Sequence, residues 1–380
     1  MTIRNRFGKG IGSLNVREGG GAAAIGLRPF VQHFSITLGA TDTSKTYTLP
    51  ISVDTARSHV VWGGQICSAD VNAQYTAARL SLASGSTVQA DRSAQDGATT
   101  VTVYGCVVQW PSSVVTTVRQ GTVSITGTNT TNTAAISSVT TTRTLLFYLG
   151  ATSARTSRNL ATAFANVDLT NGTTVTGNRV SAGGVSHTTT VGFVAVQFDA
   201  ALVDEVDNTI NTSFVTSPNL TALTNQAPSG ASLWSFRGHA LTGVNNPAED
   251  LSQVVAAGAS LVASKKPNVT QAAGVKLGHL RFTDDYVKTL GFYDIYQNLS
   301  ASVATAVEPL PDLTKTIAQY MGVSAPIATA WTDGALDSNG ALAAVGLGLV
   351  SPPLADPYVA MTTYAGNTQS RVSAAIQEFV

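Results

Sequence analysis

Apolar and hydroxyl-bearing residues alternate along much of this chain. Between Thr99 and Trp110, for example, Val101 and Val103 are flanked by Thr102 and by other polar or aromatic positions. An alternation of period two, with β-branched residues in the majority, is typical of strands that have one buried and one solvated face. Such segments recur about every ten residues, which predicts a mostly β protein built from sandwiches or barrels rather than from helices.

Two turn sequences separate neighbouring strand segments. One is SGSTV around Gly85, and the other is NGTTV, which contains Asn171 and Gly172. Glycine and asparagine tolerate the backbone angles that tight hairpin turns require. Both sequences therefore predict β-hairpins.

The chain repeats itself with a period of about 88 residues. The first two copies contain three matching blocks in the same order, VVWGGQ, ARLSLASGSTVQADR and TTVTVYGCVVQW in one and LLFYLGA, ANVDLTNGTTVTGNR and HTTTVGFVAVQF in the other. Within these blocks, Arg92 matches Arg179, and Trp110 matches Phe198. A period of this length is that of a small domain and is too long for a solenoid unit.

Weaker copies follow the first two. LWSFRGH, AAGASLVASKK and GVKLGHLRF form a third copy, and GNTQSRVSAAIQEF at the end of the chain resembles the closing block alone. The predicted fold is therefore tandem β-sandwich domains in about three copies, followed by a mixed C-terminal segment. The predicted boundaries are residues 1–29 for an N-terminal arm, 30–112, 113–200 and 201–285 for three sandwiches, and 286–380 for a mixed region with a partial repeat.

The mixed C-terminal region contains one helical pattern. Leu313, Ile317, Tyr320 and Met321 follow Pro311 at helical spacing, and a glycine comes next. A proline near the start and a glycine just past the end favour a capped amphipathic helix of about three turns.

Aromatic residues and glycines recur at matching places in the copies. The repeated positions are Trp62, Gly64, Tyr148, Gly150, Trp234 and Gly238. Recurrence in register favours a scaffold role, in which each module buries an aromatic side chain at the same place. The alternative is that these aromatics form a rim on which sugars stack.

Charge and composition narrow the range of functions. The chain has 22 basic and 22 acidic residues, and only 12% of its residues are charged. A neutral body is a poor nucleic-acid binder, because phosphate contacts need a basic surface. The apolar fraction of 43% is that of a folded protein.

The sequence predicts neither a membrane span nor a secretory signal. Its most apolar run, Ala341 to Val350, is about half the length of a span and is followed by prolines. The basic N-terminus lacks an apolar core, so we expect folding in a cytoplasm. Cys67 and Cys106 fit that compartment as buried free thiols, with a bridge between them as the alternative.

The glycine-rich N-terminal arm is basic. Its cations include Arg4, Arg6, Lys9 and Arg17. A segment with so few bulky side chains packs little on its own. We expect either an arm that docks on a partner or a terminus without a binding role.

No motif for catalysis, cofactor binding or a metal is present. The sequence lacks G-x-S-x-G, H-E-x-x-H and a phosphate-binding loop. Two weaker alternatives are a metal pair at His239 and His279, and a calcium site at the acidic residues that follow the second and third closing strands, Asp204, Glu205, Asp207, Asp284 and Asp285. A pair of glycosidase carboxylates is a third alternative, which sequence spacing does not address.

The blocks SHVVWGGQ and ARLSLASGSTVQADR, with closing strands that end in VVQW, VAVQF or IQEF, resemble modules of tailed-bacteriophage virion proteins. The resemblance covers roughly residues 30–282 and the last 15 residues. It implies β-sandwich modules of tail fibres, spikes or head decorations, which are usually oligomeric, and it implies no catalytic residues.

The resulting hypothesis is a non-enzymatic virion component of the tail or another external appendage. It would be assembled in the host cytoplasm as a homo-oligomer, trimer or higher, with other virion proteins and a host-surface glycan as partners. The alternatives are a capsid decoration protein, an array of carbohydrate-binding modules, and a hydrolase within residues 286–365.

Overall fold

The computed structural model describes residues 28–68, 72–156, 165–179, 182, 184–211, 221–222, 232–239, 252–257, 260–265, 275–283, 286–297, 303–306, 314–324, 344–347, 358–362 and 370–379. These residues are mostly in antiparallel strands, which confirms the prediction of a mostly β protein. The helical structure among them consists of one turn, α1 (Ala73–Thr76), and two 3-10 turns, Thr141–Arg143 and Ala200–Leu202.

The strands of the described residues fall into four consecutive groups of six. The first group is β1 (Phe30–Leu38), β2 (Ser44–Thr48), β3 (Ser58–Cys67), β4 (Ala78–Ser84), β5 (Thr87–Arg92) and β6 (Val101–Gln109). The second group is β7 (Val115–Thr126), β8 (Thr131–Ala135), β9 (Thr144–Ser153), β10 (Asn166–Asn171), β11 (Thr174–Asn178) and β12 (Thr188–Phe198).

The other two groups follow in the same order. The third is β13 (Val203–Asn211), β14 (Thr221–Ala222), β15 (Ser232–His239), β16 (Ser252–Ala257), β17 (Ser260–Lys265) and β18 (Val275–Phe282). The fourth is β19 (Val287–Gln297), β20 (Val303–Ala306), β21 (Thr316–Ser324), β22 (Ala344–Leu347), β23 (Tyr358–Thr362) and β24 (Ser370–Phe379).

Strand pairing is the same in all four groups, which we call repeats 1 to 4. In each repeat the sixth strand pairs with the first and the third, and the fifth strand pairs with the second and the fourth. The predicted hairpins at Gly85 and Gly172 are confirmed, because each joins the fourth and fifth strands of its repeat.

The predicted helix near residues 311–322 is wrong where the structure describes it. Residues Thr316–Ser324 form β21, which pairs with β24, while Pro311 and Leu313 lie outside the described residues. A short apolar run cannot be assigned to helix or strand from its spacing alone. Here a partner strand about 55 residues further along the chain decides the matter, since it supplies the hydrogen bonds.

Sheets cross the boundaries between repeats. The fourth strand of one repeat pairs with the third strand of the next at a single position, which joins Arg79 to Gly150, Asn166 to Gly238, and Gln253 to Gly322. Among the described strands, three six-stranded sheets result, and each contains three strands from each of two successive repeats. The division into independent sandwich domains at residues 112, 200 and 285 stays a prediction.

The four repeats close into a ring. The third strands β3, β9, β15 and β21 each lie against the next, and β21 lies against β3. Hydrogen bonds also connect neighbouring repeats around the ring. His33 Nε2 in repeat 1 lies 3.0 Å from the carbonyl oxygen of Thr316 in repeat 4, and Asn208 in repeat 3 donates to the carbonyl of Thr144 in repeat 2 at 2.7 Å.

The closing aromatic residues of the repeats meet at the centre of this ring. Trp110 contacts Phe198 and Phe379 edge to face, with ring centroids 5.2 and 4.9 Å apart, and Phe198 contacts Phe282 in the same way. All four rings are buried. One hydrophobic core, continuous through all four repeats, therefore replaces four separate cores.

A second aromatic cluster lies in the same core. Trp62, Tyr148 and Phe236 contact one another in pairs, with centroids 5.2 to 6.0 Å apart. The pairing register makes Phe236, and not Trp234, the counterpart of Trp62 and Tyr148, because each of the three precedes an irregularity in its third strand. The sequence match of Trp234 was thus displaced by two residues, although Trp234 is also buried.

The glycine two residues after each of these aromatics lies at that irregularity. Gly150 and Gly238 have φ angles of 91° and 114°, and a Cβ at these places would lie 2.4 and 2.5 Å from the carbonyl oxygens of Ala78 and Ala165. Only glycine combines this backbone conformation with so close an approach. The motif therefore sets the point at which one repeat pairs with the next.

Candidate functional site

A cavity of about 280 Å³ lies where repeat 2 meets repeat 3. Its lining residues are Asp168 and Leu169 of β10, Asn208 and Thr209 of β13, Arg237 of β15 and Lys276 of β18. Four strands from two repeats thus contribute to one opening. Its size is near the lower limit for small-ligand sites in proteins.

Arg237 forms the inner wall of this cavity. Its side chain is 1% exposed, and it donates hydrogen bonds to the backbone carbonyls of Leu277, Val167 and Ile210 at 2.8, 3.1 and 3.4 Å. Burial lowers the pKa of Arg237 from its ordinary value, and the carboxylate of Asp168 opposes that shift. Arg237 stays protonated, because a guanidinium does not lose its proton in proteins.

Asp168 links the two cations of the cavity. Its Oδ1 accepts from Arg237 at 2.6 Å, and its Oδ2 accepts from Lys276 Nζ at 2.5 Å and from Asn178 Nδ2 at 2.9 Å. The Asp168 side chain is 34% exposed, whereas the Lys276 side chain is 16% exposed. The Asp168 carboxylate therefore accepts hydrogen bonds from three side chains and has little acceptor capacity left.

Asn208 and Thr209 fix the outer wall. The Asn208 amide bridges the backbone of β9, donating to Thr144 and accepting from the Leu146 N–H. The Thr209 hydroxyl donates to Asp207 Oδ1 at 2.6 Å, and the Thr209 N–H donates to the same oxygen. These bonds hold both side chains in place. The Thr209 hydroxyl keeps lone pairs that can accept a hydrogen bond.

The neighbouring repeat boundary carries a different ion pair, and both of its residues belong to repeat 1. Between repeats 1 and 2, Arg79 of β4 binds Asp91 of β5 at 2.9 Å and crosses Gly192, where a Cβ would lie 2.9 Å from its side chain. In repeats 1, 2 and 4 the residue between the aromatic and the glycine is Gly63, Leu149 or Met321, where repeat 3 has Arg237.

Two further buried arginines are structural. Arg92 donates to the carbonyls of Gly39, Asp42, Tyr75 and Thr99, and no carboxylate of a described residue lies within salt-bridge distance of it.

Arg179, which the sequence match pairs with Arg92, makes an equivalent set of bonds. It donates to the carbonyls of Gly127 and Asn129 and to the Thr189 hydroxyl. Each arginine thus ties the connection between the first two strands of its repeat to the end of the fifth strand. The match between Arg92 and Arg179 reflects a scaffold function.

The other candidate residues do not converge on this cavity. The arm residues Arg4, Arg6, Lys9 and Arg17 lie outside the described residues. Trp62, Tyr148 and Trp234 are buried.

The alternative metal sites are not assembled either. His239 lies opposite Val275 and His279 lies opposite Trp234, so the two rings are at different places along the paired strands. Asp204 and Glu205 form ion pairs with Arg281, while Asp284 and Asp285 lie outside the described residues. Within the part of the chain that the structure describes, no three His, Cys, Asp or Glu side chains are close enough to hold a metal ion. Cys67 and Cys106 are buried and unbridged, as predicted.

No motif in the sequence predicts the cavity. Asp168, Arg237 and Lys276 are far apart in the chain, and none belongs to a known motif. One signal was available: Arg237 places a charge between an aromatic residue and a glycine, where the other repeats have Gly63, Leu149 or Met321.

No family model, no curated protein and no solved structure matches this chain. Among the described residues, no helix has the length and apolar character needed to cross a membrane.

Proposed function

We propose that this chain is a non-enzymatic structural component of a bacteriophage virion, belonging to the tail or another external appendage, and that it assembles as a homo-oligomer. The attribution to a virion rests on the resemblance of its repeat blocks to phage modules. The observation that best supports a building-block role is the closed ring, in which four repeats share sheets and one core.

A shared core suits a protein that must keep its shape under load. Because sheets cross the repeat boundaries, separating two repeats breaks strand pairing and exposes aromatic surface. Unfolding of one repeat is thereby coupled to unfolding of its neighbours. A rigid body of this kind is useful in an assembly, where each subunit transmits force to the next.

The outer strands offer surfaces for association between copies. β2 and β8 lie at the ends of their sheets, and most of their side chains are exposed. An edge strand presents unpaired N–H and C=O groups that another chain can pair with. Lys45 is the charged residue of these two strands, while Thr46 and Thr133 are among their uncharged side chains, so little charge opposes such pairing.

The carbohydrate-binding alternative loses its original support. It requires exposed aromatic rings on which sugars stack, and Trp62, Tyr148 and Trp234 are buried. A recurring aromatic in the core contributes to packing instead.

The assembly part of the proposal is tested by measuring the mass of the purified full chain in solution by light scattering and native mass spectrometry. We expect a discrete oligomer whose mass falls in the double variant Thr46→Lys and Thr133→Lys, because charge on edge strands opposes pairing. The matched control is Ser93→Lys with Gln95→Lys, which adds the same charge to an exposed connection. A wild-type chain that stays monomeric at all concentrations would contradict self-assembly.

The location is tested on particles. Antibodies raised against the purified chain should label a defined external part of phage particles, seen by electron microscopy. Particles that lack the chain, as judged by mass spectrometry of purified virions, would overturn the virion assignment.

A further inference from the structure

We propose that the cavity between repeats 2 and 3 binds a small oxyanion, either a carboxylate or a phosphate group, on the cations Arg237 and Lys276. This inference does not depend on a virion role.

The cavity has more hydrogen-bond donors than acceptors to spare. Lys276 uses one of its three N–H groups, on Asp168, and Arg237 uses four of its five in the bonds to Leu277, Val167, Asp168 and Ile210. Three cationic N–H groups therefore remain. Asp168 already accepts three bonds, so the group that best completes this set is rich in acceptors and negatively charged.

The charges around the cavity leave room for one anion. Arg237 and Lys276 face the single carboxylate of Asp168. Asp207 is the other acid near Arg237, and its Oδ1 is engaged by the N–H and hydroxyl of Thr209. Asp207 weakens the positive potential without occupying the cavity, which favours a small anion over a highly charged one.

Arg237 departs from the repeat pattern. Repeats 1, 2 and 4 form the same third strand with Gly63, Leu149 and Met321 at this position. Burying an ion pair is often no better for stability than packing apolar groups of similar volume. The hydrogen bonds of Arg237 to Leu277, Val167 and Ile210 anchor it in the fold. Its occurrence in one repeat, beside an open cavity, points to a second role that the other repeat boundaries lack.

Exposed Lys45 provides a control for the test. It lies on β2 near Asp42, its side chain is 50% exposed, and it is remote from the cavity lining. Lys276→Gln removes the cation at the mouth of the cavity, whereas Lys45→Gln removes one from the surface. Leu169→Trp is a second variant, which keeps every charge and fills the cavity.

The experiment titrates the full chain with sodium phosphate and separately with sodium acetate, with sodium chloride adjusted to hold ionic strength constant. Binding is followed by calorimetry and by the melting temperature. We expect saturable binding of at least one anion in the wild type and in Lys45→Gln, weakened about tenfold or more in Lys276→Gln and in Leu169→Trp. The anion that binds identifies the group as phosphate or carboxylate.

Two results would overturn the proposal. One is the absence of saturable binding of either anion to the wild-type chain. The other is binding that both cavity variants retain at full strength, because a general ion effect on the surface would produce it. Circular dichroism shows whether each variant is folded, and Leu169→Trp keeps the test decisive if Lys276→Gln fails to fold.

Discussion

Trp110 and Phe198 meet edge to face across the boundary between repeats 1 and 2, with ring centroids 5.2 Å apart and an interplanar angle of 86°. Trp110 directly follows the closing strand β6, Phe198 is the last residue of the closing strand β12, and both are buried. Offset and edge-to-face pairs add stability beyond the area they bury. Equivalent residues of the repeats thus pack against one another in one core, and the repeats do not form four separate cores.

Truncation of Trp110 should destabilise the whole chain and not one repeat. Trp110→Ala removes contacts with Phe198 and Phe379, and loss of so large a buried side chain typically costs about 3–5 kcal/mol. We expect a single unfolding transition in wild type and variant, shifted to lower denaturant in the variant, as followed by fluorescence and circular dichroism.

The control for that variant is Ile51→Ala, since Ile51 is 55% exposed. Its free energy of unfolding should change by less than about 1 kcal/mol. Several separate transitions in the wild-type chain, with only one of them sensitive to Trp110→Ala, would mean that the repeats unfold independently.

The glycine at a repeat boundary should tolerate no side chain. In Gly150→Ala the new Cβ would lie 2.4 Å from the carbonyl oxygen of Ala78, at a φ of 91°. Gly97→Ala is a matched comparison, because Gly97 has a φ of 77° but no atom within 4 Å of a new Cβ. Both variants carry the backbone strain, about 1 kcal/mol, and only Gly150→Ala adds the clash.

We expect the clash to make Gly150→Ala less stable than Gly97→Ala by about 2 kcal/mol in urea unfolding. Amide hydrogen exchange of β4 and β9 should also rise in Gly150→Ala alone. Equal losses in the two variants would show that the approach of the strands is not a tight constraint.

Acid should weaken the fold through buried histidines. Burial lowers the pKa of His59 to about 3, and its Nδ1 accepts a hydrogen bond from Trp110 Nε1 at 3.2 Å. In the unfolded chain the pKa of a histidine is about 6.5. The unfolded state therefore binds the proton first, so stability is complete above about pH 6.5 and falls as the pH decreases toward 3.

Between pH 7 and pH 5, His59 should reduce the free energy of unfolding by about 2 kcal/mol. His59→Gln removes this titration, so its stability should depend less steeply on pH over the same range, as measured by denaturant unfolding at each pH. A residual slope is expected because burial also lowers the pKa of His239 to about 3. Identical slopes in the two proteins would contradict the assignment to His59.

Local pattern was sufficient for a large part of the fold. Alternation of Val and Thr predicted strands such as β6, and the glycine turns at Gly85 and Gly172 predicted hairpins. Comparison of the copies matched Arg92 with Arg179, and the structure gives these two residues equivalent hydrogen bonds. These features depend on residues within a few positions of one another or on direct comparison of the copies. Side-chain periodicity and turn chemistry carry that information.

The candidate site was not predictable in the same way. Asp168, Arg237 and Lys276 belong to β10, β15 and β18, and they come together only because the fourth strand of repeat 2 pairs with the third strand of repeat 3. Long-range pairing also makes Thr316–Ser324 a strand where the sequence pattern predicts part of a helix. It likewise makes Phe236, and not Trp234, the counterpart of the aromatic residues in the other repeats.

By itself, then, the sequence determined the strands, their turns and the existence of copies, since backbone geometry ties each of these to a short pattern. Tertiary structure decided that four copies close into a ring, that their aromatics share one core, and that a charged cavity opens at one boundary. Those outcomes depend on which strand edges pair across distant parts of the chain. Register and core packing decide that pairing, and the periodicity of one strand does not reveal its partner.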